Sequence, residues 1–339
     1  MKQRLILFIT VLLNFLFVIS CEENFDPYTD LYEGYVLNCV IRHDTTFQVA
    51  TISRTYKANG LKPMNSHENY SVRGAKITLT CSNALGTEVY NFRDTVVSTS
   101  DNQQIHYYYL NNFQPSISSV QVNPGVYVAY DYSMKIEAEL PDGTKLISSA
   151  NSVLVNDRIE SDYKRKNPMP ILPGKLTFVT GSELMSIIKG KTDILPEMIV
   201  YYSKKENGTW IDYQKSVPMY YSNGQGKEIY VYPNLESPKD YIHYDSLVVL
   251  KTLSDLSKND ADKENYIIKK VVFYLHLFEP NSSHYLTIQQ TMQNEFSLRT
   301  TQLSFSNING GGGIFGAMFT LKDELKLDDM IKSIGYRTE

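Results

Sequence analysis

Short runs of alternating hydrophobic and polar residues, divided by turn residues, fill the first half of the chain after residue 30. They include "GYVLNCVIRH", "FQVATISRTY", "GAKITLTCSNALGTEVYNF", "QIHYYYLNNF" and "KIEAELPDGTKLISSA". Alternation with a period of two predicts β-strands with one buried face. Turn residues at 44–46, 83–86 and 141–143 predict hairpins between them. Several short strands of this kind favour a β-sandwich over residues 31–157.

The character of the chain changes at residues 158–175, which are charged and then rich in proline. Proline fixes φ and lacks a backbone donor, so this stretch is predicted to be a linker. Residues 176–320 are again β-rich, with a hairpin turn at Asn207-Gly208 and an apolar strand in "IIKKVVFYLHLFE". The segment "PNSSHYLTIQQTMQNE" predicts a helix capped by Ser282 or Ser283. Residues 321–339 are predicted to form a C-terminal helix or tail.

The N-terminus has the pattern of a secretory signal. Lys2 and Arg4 precede an apolar run that is shorter than the roughly 20 residues a membrane-spanning helix needs. The run ends in "VISC", which resembles a bacterial lipobox. This resemblance predicts a signal peptide over residues 1–20, cleavage between Ser20 and Cys21, and lipid on the Cys21 thiol. The alternative is an ordinary buried strand with a chance cysteine.

Acidic residues follow Cys21 in a predicted tether over residues 21–30, with Glu22, Glu23 and Asp26 close together. Several acyl chains on one cysteine would hold such a chain firmly in a membrane. The acidic cluster resembles the export signal that sends lipoproteins of Bacteroidota to the outer face of the outer membrane. It favours a chain that faces the cell exterior, with a periplasm-facing anchor as the alternative.

Composition narrows the class of protein. The chain is 42% hydrophobic, enough to bury a core, and without residues 1–20 it carries 31 basic and 37 acidic residues. This acidic balance argues against a nucleic-acid partner, which normally leaves a basic patch. The 26 tyrosines beside one tryptophan favour strands, because tyrosine suits a half-buried pleated surface.

Two cysteines remain after Cys21. Alternation places Cys39 on one face with Leu37 and Ile41, and Cys81 on one face with Ile77 and Leu79, so both thiols are predicted to face a core. In an oxidising compartment Cys39 and Cys81 could pair in a disulfide. The alternative is two buried free thiols that act as small hydrophobic groups.

Patterns that would indicate an enzyme are missing from the sequence. No histidine stands at metal-ligand spacing from another histidine or a cysteine, and there is no Gly-x-Ser-x-Gly motif. The run "NINGGGGIFGAMF" lacks the Lys-Ser/Thr of a phosphate-binding loop and continues into an apolar segment. It is interpreted as a close approach of two backbones. We therefore predict no cofactor, no metal and no catalytic residues.

The ordered set "VISC", "ATISRTY", "VRGAKITLTCSNALGTEVYNF", "IEAELPDGTKLISSA" and "NINGGGGIFGAMF" resembles the Bacteroidota lipoprotein family described as domain of unknown function 4249. This resemblance implies an immunoglobulin-like first domain, a second β-rich domain and an outer-membrane lipoprotein found near TonB-dependent transporters. It implies no established activity. Three stretches also match the O-glycosylation pattern of Bacteroidota, at Thr45, Thr95 and Ser246, although so short a pattern also arises by chance.

Three functions are consistent with these features. The first is a surface-exposed, non-catalytic binding or accessory protein that holds a glycan or peptide ligand, or a partner, next to a TonB-dependent transporter. Tyr107, Tyr108 and Tyr109 are the candidate contact residues, with a plain alternating strand as the alternative. The second is an envelope hydrolase that acts on peptide or glycan. The third is a purely structural envelope lipoprotein.

Overall fold

The structure is a computed structural model that describes most of the chain after residue 33. The described residues are 34–55, 70–83, 85–98, 104–113, 119–123, 126–129, 132–153, 164, 174–181, 184–185, 188–224, 227–257, 263–293 and 305–338. Within them the protein is mainly β, as predicted. None of the helices in this part of the chain is both long and apolar enough to span a membrane.

The strands are β1 (Tyr35–Arg42), β2 (Gln48–Arg54), β3 (Lys76–Asn83), β4 (Gly86–Asn91), β5 (Arg93–Ser98), β6 (Gln104–Leu110), β7 (Ser119–Asn123), β8 (Val126–Ala129), β9 (Ser133–Glu139), β10 (Lys145–Asn151), β11 (Lys175–Val179), β12 (Asp193–Glu206), β13 (Thr209–Ser216), β14 (Tyr220–Gly224), β15 (Lys227–Val231), β16 (Tyr241–Asp245), β17 (Tyr266–Phe278), β18 (Gly312–Leu325) and β19 (Arg337–Thr338). The α-helices are α1 (Ser246–Ser254), α2 (Pro280–Gln293) and α3 (Asp328–Ser333), and short 3₁₀ turns lie at Asp255–Ser257 and Lys263–Asn265.

A nine-stranded sheet joins both halves of the sequence. Its order is β13-β12-β17-β18-β1-β2-β6-β5, and β19 pairs with β17. Strand β18 pairs antiparallel with β17 and parallel with β1, in a register that joins Val36 to Gly312 and Arg42 to Met318. The predicted linker at 158–175 lies outside the described residues except for residues 164, 174 and 175. The domain boundaries 31–157 and 176–320 remain predictions.

One compact unit contains Tyr35–Arg54 and Ser71–Glu339. The other unit, Met1–Gly34 with Thr55–Tyr70, lies almost wholly outside the described residues. The first unit thus includes the whole nine-stranded sheet.

A second sheet has the order β10-β9-β3-β4, and its inner face shares one hydrophobic core with strands β1, β2 and β6. Leu79 and Ile136 are fully buried on this face, opposite each other in the β3–β9 register. The buried Tyr108 of β6 ties the layers together, since its hydroxyl donates to the carbonyl of Val72 at 2.8 Å and accepts from the Ala75 amide at 3.0 Å. This arrangement is sandwich-like, whereas the immunoglobulin-like assignment stays a prediction.

Several turns follow the local sequence closely. Asn207 and Gly208 both have positive φ, 51° and 85°, which is the geometry an Asn-Gly hairpin turn requires between β12 and β13. The predicted C-terminal helix is shorter than expected. Alternating burial extends β18 through Leu325, so the helical part is limited to Asp328–Ser333.

The glycine run is a packing feature between the two sheets. A side chain at Gly311 would meet Leu146 Cδ2 of β10 at 2.7 Å, and one at Gly313 would meet the carbonyl carbon of Leu37 in β1 at 2.8 Å. Gly313 also has φ of +108°, a conformation that other residues rarely adopt. The interpretation as a close backbone approach is confirmed, because Gly311 and Gly313 lie too near β10 and β1 for a Cβ atom to fit.

Further along β18, Gly316 makes room for the cap of helix α2. The carboxylate of Glu279 accepts from the backbone amides of Asn281 at 3.0 Å and Ser282 at 2.8 Å. This cap replaces the one predicted for Ser282 or Ser283, because both serines already lie inside the helix. A methyl group at Gly316 would lie 2.5 Å from Glu279 Oε1 and closer still to Ser282 Oγ.

We expect Gly316→Ala to lower the free energy of unfolding by about 1–3 kcal/mol, because overpacking forces a buried cap to move. Gly312→Ala is the matched control on the same strand, since its new methyl group would meet nothing closer than Val36 Cγ2 at 3.6 Å. Urea unfolding of both variants, followed by circular dichroism, measures the difference. Equal losses in the two variants would contradict this account of Gly316.

Cys39 and Cys81 are both free thiols in the structure, and both are buried. Cys39 lies on β1 and Cys81 on β3, in different sheets that contribute to the same core. Burial raises the pKa of each thiol to about 12. In the structure both thiols are therefore small buried groups of one core. Whether Cys39 and Cys81 pair in the protein stays a prediction.

In the full chain carrying Cys21→Ser, we expect no thiol to react with a disulfide reagent at neutral pH while the protein is folded. The thiolate is the reactive form, and burial disfavours it at both positions. After unfolding without a reductant, two thiols should titrate. A count of zero in the unfolded protein would mean that Cys39 and Cys81 are joined.

Candidate binding surface

The outer side of β2, β6 and β5 carries a group of aromatic and aliphatic side chains. The register between β2 and β6 pairs Val49 with Tyr109. The register between β5 and β6 pairs Thr95 with Tyr107 and Val97 with Ile105. Residues directly opposite each other on antiparallel strands share a face. We name this surface the aromatic face, and it consists of Phe47, Val49, Arg93, Thr95, Val97, Ile105, Tyr107 and Tyr109.

Several members of the aromatic face are exposed to solvent. Ile105 is 50% exposed, Val97 46% and Phe47 42%. The ring of Phe47 stacks on that of Tyr109 with centroids 5.8 Å apart, and Tyr107 meets Tyr109 edge-on at 6.4 Å. A contiguous apolar surface on a sheet is typical of a contact site for another molecule.

The three consecutive tyrosines of β6 have different environments. Tyr107 and Tyr109 lie on the aromatic face and are half-buried, whereas Tyr108 points to the opposite side and is fully buried. Strand alternation produces this split, because successive side chains alternate between the two faces of a sheet. Two of the three predicted contact residues therefore belong to the surface, and the third belongs to the core.

A buried histidine lies on the side of β6 opposite the aromatic face. His106 points into the core and its Nε2 pairs with a carboxylate oxygen of Asp94 on β5. The other carboxylate oxygen of Asp94 accepts from the Gly74 amide at 2.9 Å. Asp94 thus connects the edge strand β5 to the segment that precedes β3.

The predicted glycosylation residues occupy three different settings. Thr95 is half-buried in the middle of the aromatic face, and Thr45 is half-buried in the turn between β1 and β2. Ser246 is the first residue of α1, where Asp245 caps the helix by accepting from the Leu247 amide at 2.8 Å. Modification at these positions stays a prediction. Ser20, Cys21 and the predicted tether lie outside the described residues.

The opposite edge of the nine-stranded sheet is also exposed. All eight residues of β13 are solvent-exposed, including Trp210 at 42%, Ile211 at 41% and Tyr213 at 37%. An exposed edge strand can pair with another chain. The charged Asp212 on this edge counters that tendency, and its carboxylate is held by Ser203 of β12 and Lys269 of β17.

A hydroxyl, an imidazole and a carboxylate meet on the outer face of three neighbouring strands. Thr320 Oγ1 lies 3.0 Å from His276 Nδ1, and Glu197 Oε2 lies 3.5 Å from His276 Nε2. The hydrogen bond with His276 holds the pKa of Glu197 below its ordinary value. These are the group types of nucleophilic catalysis, although the Thr320 hydroxyl is secondary and sits on a stiff β-branched side chain.

Sequence reasoning did not find this polar group. The alternation in "VVFYLHLFE" places Tyr274 and His276 on one face, but it does not say which strands lie beside them. The partners Glu197 and Thr320 come from β12 and β18, far away in sequence. Among the described residues, no three His, Cys, Asp or Glu side chains are grouped in a way that could hold a metal ion.

No family model matches the chain, and no curated protein matches its sequence.

Proposed function

We propose that this protein is a lipid-anchored protein of the outer membrane that faces the cell exterior and binds a partner through the aromatic face. It acts without catalysis, as an accessory to a TonB-dependent transporter or as a holder of a glycan or peptide ligand. The observation that carries the binding role is the exposed, ring-rich surface of β2, β6 and β5. The lipobox-like "VISC" and the acidic residues after Cys21 support the location.

The aromatic face has the composition that protein and ligand contacts favour. Tyrosine and phenylalanine rings bury a large apolar area on contact and lose little conformational freedom, and tyrosine also offers a hydroxyl. Arg93 lies opposite Tyr109 at one side of the face and adds a charged donor. Apart from Phe47, which directly precedes β2, the residues of the face lie on paired strands rather than on loops, so a partner would meet a preformed surface.

The hydrolase alternative is favoured by one observation, the contact of Thr320, His276 and Glu197. In that case Thr320 Oγ1 would attack the carbonyl carbon of an ester or peptide while His276 takes its proton and Glu197 holds the imidazole. The tetrahedral intermediate would then expel the alcohol or amine, which receives that proton from His276, and water would release the acyl group from Thr320 in a second step. Turnover of an ester or peptide that Thr320→Val abolishes would place this alternative ahead of the binding role.

Location is tested by protease treatment of intact cells, with mass analysis of the N-terminal peptide. We expect the chain to be cleaved from the cell surface and Cys21 to carry acyl chains, because a lipid anchor and a solvated tether leave the folded part outside. A chain that is lipidated but protected from protease faces the periplasm instead. An unmodified Cys21 would remove the lipid anchor from the proposal.

Binding is tested by substitution on the aromatic face. We expect the double variant Phe47→Ser and Ile105→Ser to lose a co-purified TonB-dependent transporter from detergent-solubilised outer membranes, because both side chains are exposed apolar contacts. The matched control is Leu85→Ser and Val89→Ser, which removes two exposed apolar side chains, 54% and 59% exposed, beside or within the edge strand β4 of the other sheet. If both double variants retain the transporter, or both lose it, the aromatic face is not its binding surface.

A further inference from the structure

Strand β13 ends the nine-stranded sheet with one side of its backbone open. Among the described strands it pairs with β12 alone, in a continuous register that joins Glu206 to Thr209 and Ile199 to Ser216. Proteins usually protect such an edge with a short strand, a proline or a bulge. Strand β13 has eight residues, no proline and no bulge, and Asp212 and Lys215 are its charged side chains. It is therefore long and regular enough to accept another strand.

The direction of the backbone groups of β13 follows from its pairing with β12. In an antiparallel pair, hydrogen-bonded and non-hydrogen-bonded residue pairs alternate. At the end of β13 the amide of Val217 donates to the carbonyl of Met198 at 2.8 Å, in the same register as the strand pair. The odd-numbered residues of β13 thus bond to β12. The amides and carbonyls that point away from the sheet are those of Trp210, Asp212, Gln214 and Ser216.

Apolar side chains lie on both faces of this open edge. Ile211 and Tyr213 alternate on one face, Trp210 lies on the other, and all three are exposed. The ring of Tyr213 stacks on Tyr202 of β12 with centroids 5.6 Å apart, so its position is fixed from within the sheet. A strand added at this edge would cover apolar groups on both of its sides. The edge therefore suits an extended chain rather than a flat surface.

Asp212 limits which strand can be added. Its carboxylate oxygen lies 2.9 Å from Lys269 Nζ, and this ion pair lessens its charge without removing it. Like charges directly opposite each other on neighbouring strands are destabilising. An incoming strand must therefore place an uncharged or basic residue opposite Asp212.

A second copy of β13 meets this requirement in one register. Antiparallel strands related by a two-fold axis place one residue opposite its own copy, and only Asp212 or Tyr213 at that centre uses nearly the whole strand. Asp212 at the centre would set two carboxylates against each other. With Tyr213 at the centre, two aromatic rings meet, which is a favourable cross-strand pair. Asp212 then lies opposite Gln214, and both residues direct their backbone groups toward the added strand.

We propose that two copies of this protein associate edge to edge through β13, antiparallel, with Tyr213 opposite its own copy. Two-fold pairs are the commonest form of protein assembly, and here the backbone ladder of one sheet continues into the next. The contact uses neither the aromatic face nor the group of Thr320, His276 and Glu197. It therefore stands or falls independently of the proposed function, and it leaves the aromatic face at the other end of each sheet uncovered.

The register is tested by cross-linking the full-length chain in intact cells, with copper-phenanthroline and dissolved oxygen as the oxidant. We expect Tyr213→Cys to give a disulfide-linked dimer on a non-reducing gel. Opposite residues of a non-hydrogen-bonded pair have Cα atoms about 4.5 Å apart, within the span of a disulfide. The matched control is Lys215→Cys on the same face. Its two copies would be four residues apart along the strand, about 13 Å, so it should give no dimer.

The role of the open backbone edge is tested by light scattering of the purified full-length chain in detergent. We expect the wild type and Gln214→Ala to have the mass of two chains, and Gln214→Pro the mass of one. Proline removes an amide that points away from β12, so it blocks the added strand while the pair with β12 remains. Circular dichroism checks that both variants are folded.

Three results would overturn the proposal. The first is a wild-type mass of one chain with no disulfide in the Tyr213→Cys variant, and the second is equal cross-linking of the two cysteine variants. The third is a dimer that survives Gln214→Pro, which would place the contact between copies elsewhere on the molecule.

Discussion

The close approach of β18 to β1 is the contact on which the rest of this structure depends. Strand β18 lies between β1 and β17 and so joins segments from the two ends of the sequence into one sheet. The chain just before it is held against β10 as well, through paired bonds between Ile147 and Asn309 at 3.0 and 2.8 Å. Neither approach leaves room for a Cβ atom at Gly311 or Gly313. The glycine run therefore has a packing role, since missing side chains allow backbones from both sheets to meet.

This central position of β18 sets the location of the surfaces that could have a function. The sheet ends in two exposed edge strands, β13 and β5, because each of them has a neighbouring strand on one side only. The aromatic face lies on three strands at the β5 end, and His276 meets Glu197 and Thr320 on the outer side of the central strands. The open edge of β13 lies at the opposite end of the sheet. A rigid sheet thus presents three separate chemical environments.

Two buried polar groups, the Tyr108 hydroxyl and the Glu279 carboxylate, have backbone partners that link elements packed together. Tyr108 bonds to the segment before β3, and Glu279 caps α2 beneath Gly316. Burial raises the pKa of Glu279, whereas the amides of Asn281 and Ser282 favour its charged form. These groups contribute a specific arrangement of the layers, because each would be costly to bury without its partner.

Strands, turns and the identity of the core side chains could be predicted from the sequence, because they depend on local patterns. Period-two alternation placed Cys39, Cys81 and Leu79 in the core, and Asn207-Gly208 marked its hairpin. Pairing between distant strands could not be predicted, since alternation shows which face is buried but not which strand lies beside it. For that reason the parallel pairing of β18 with β1, the grouping of Thr320 with His276 and Glu197, and the position of β13 at an edge of the sheet were decided only by the tertiary structure.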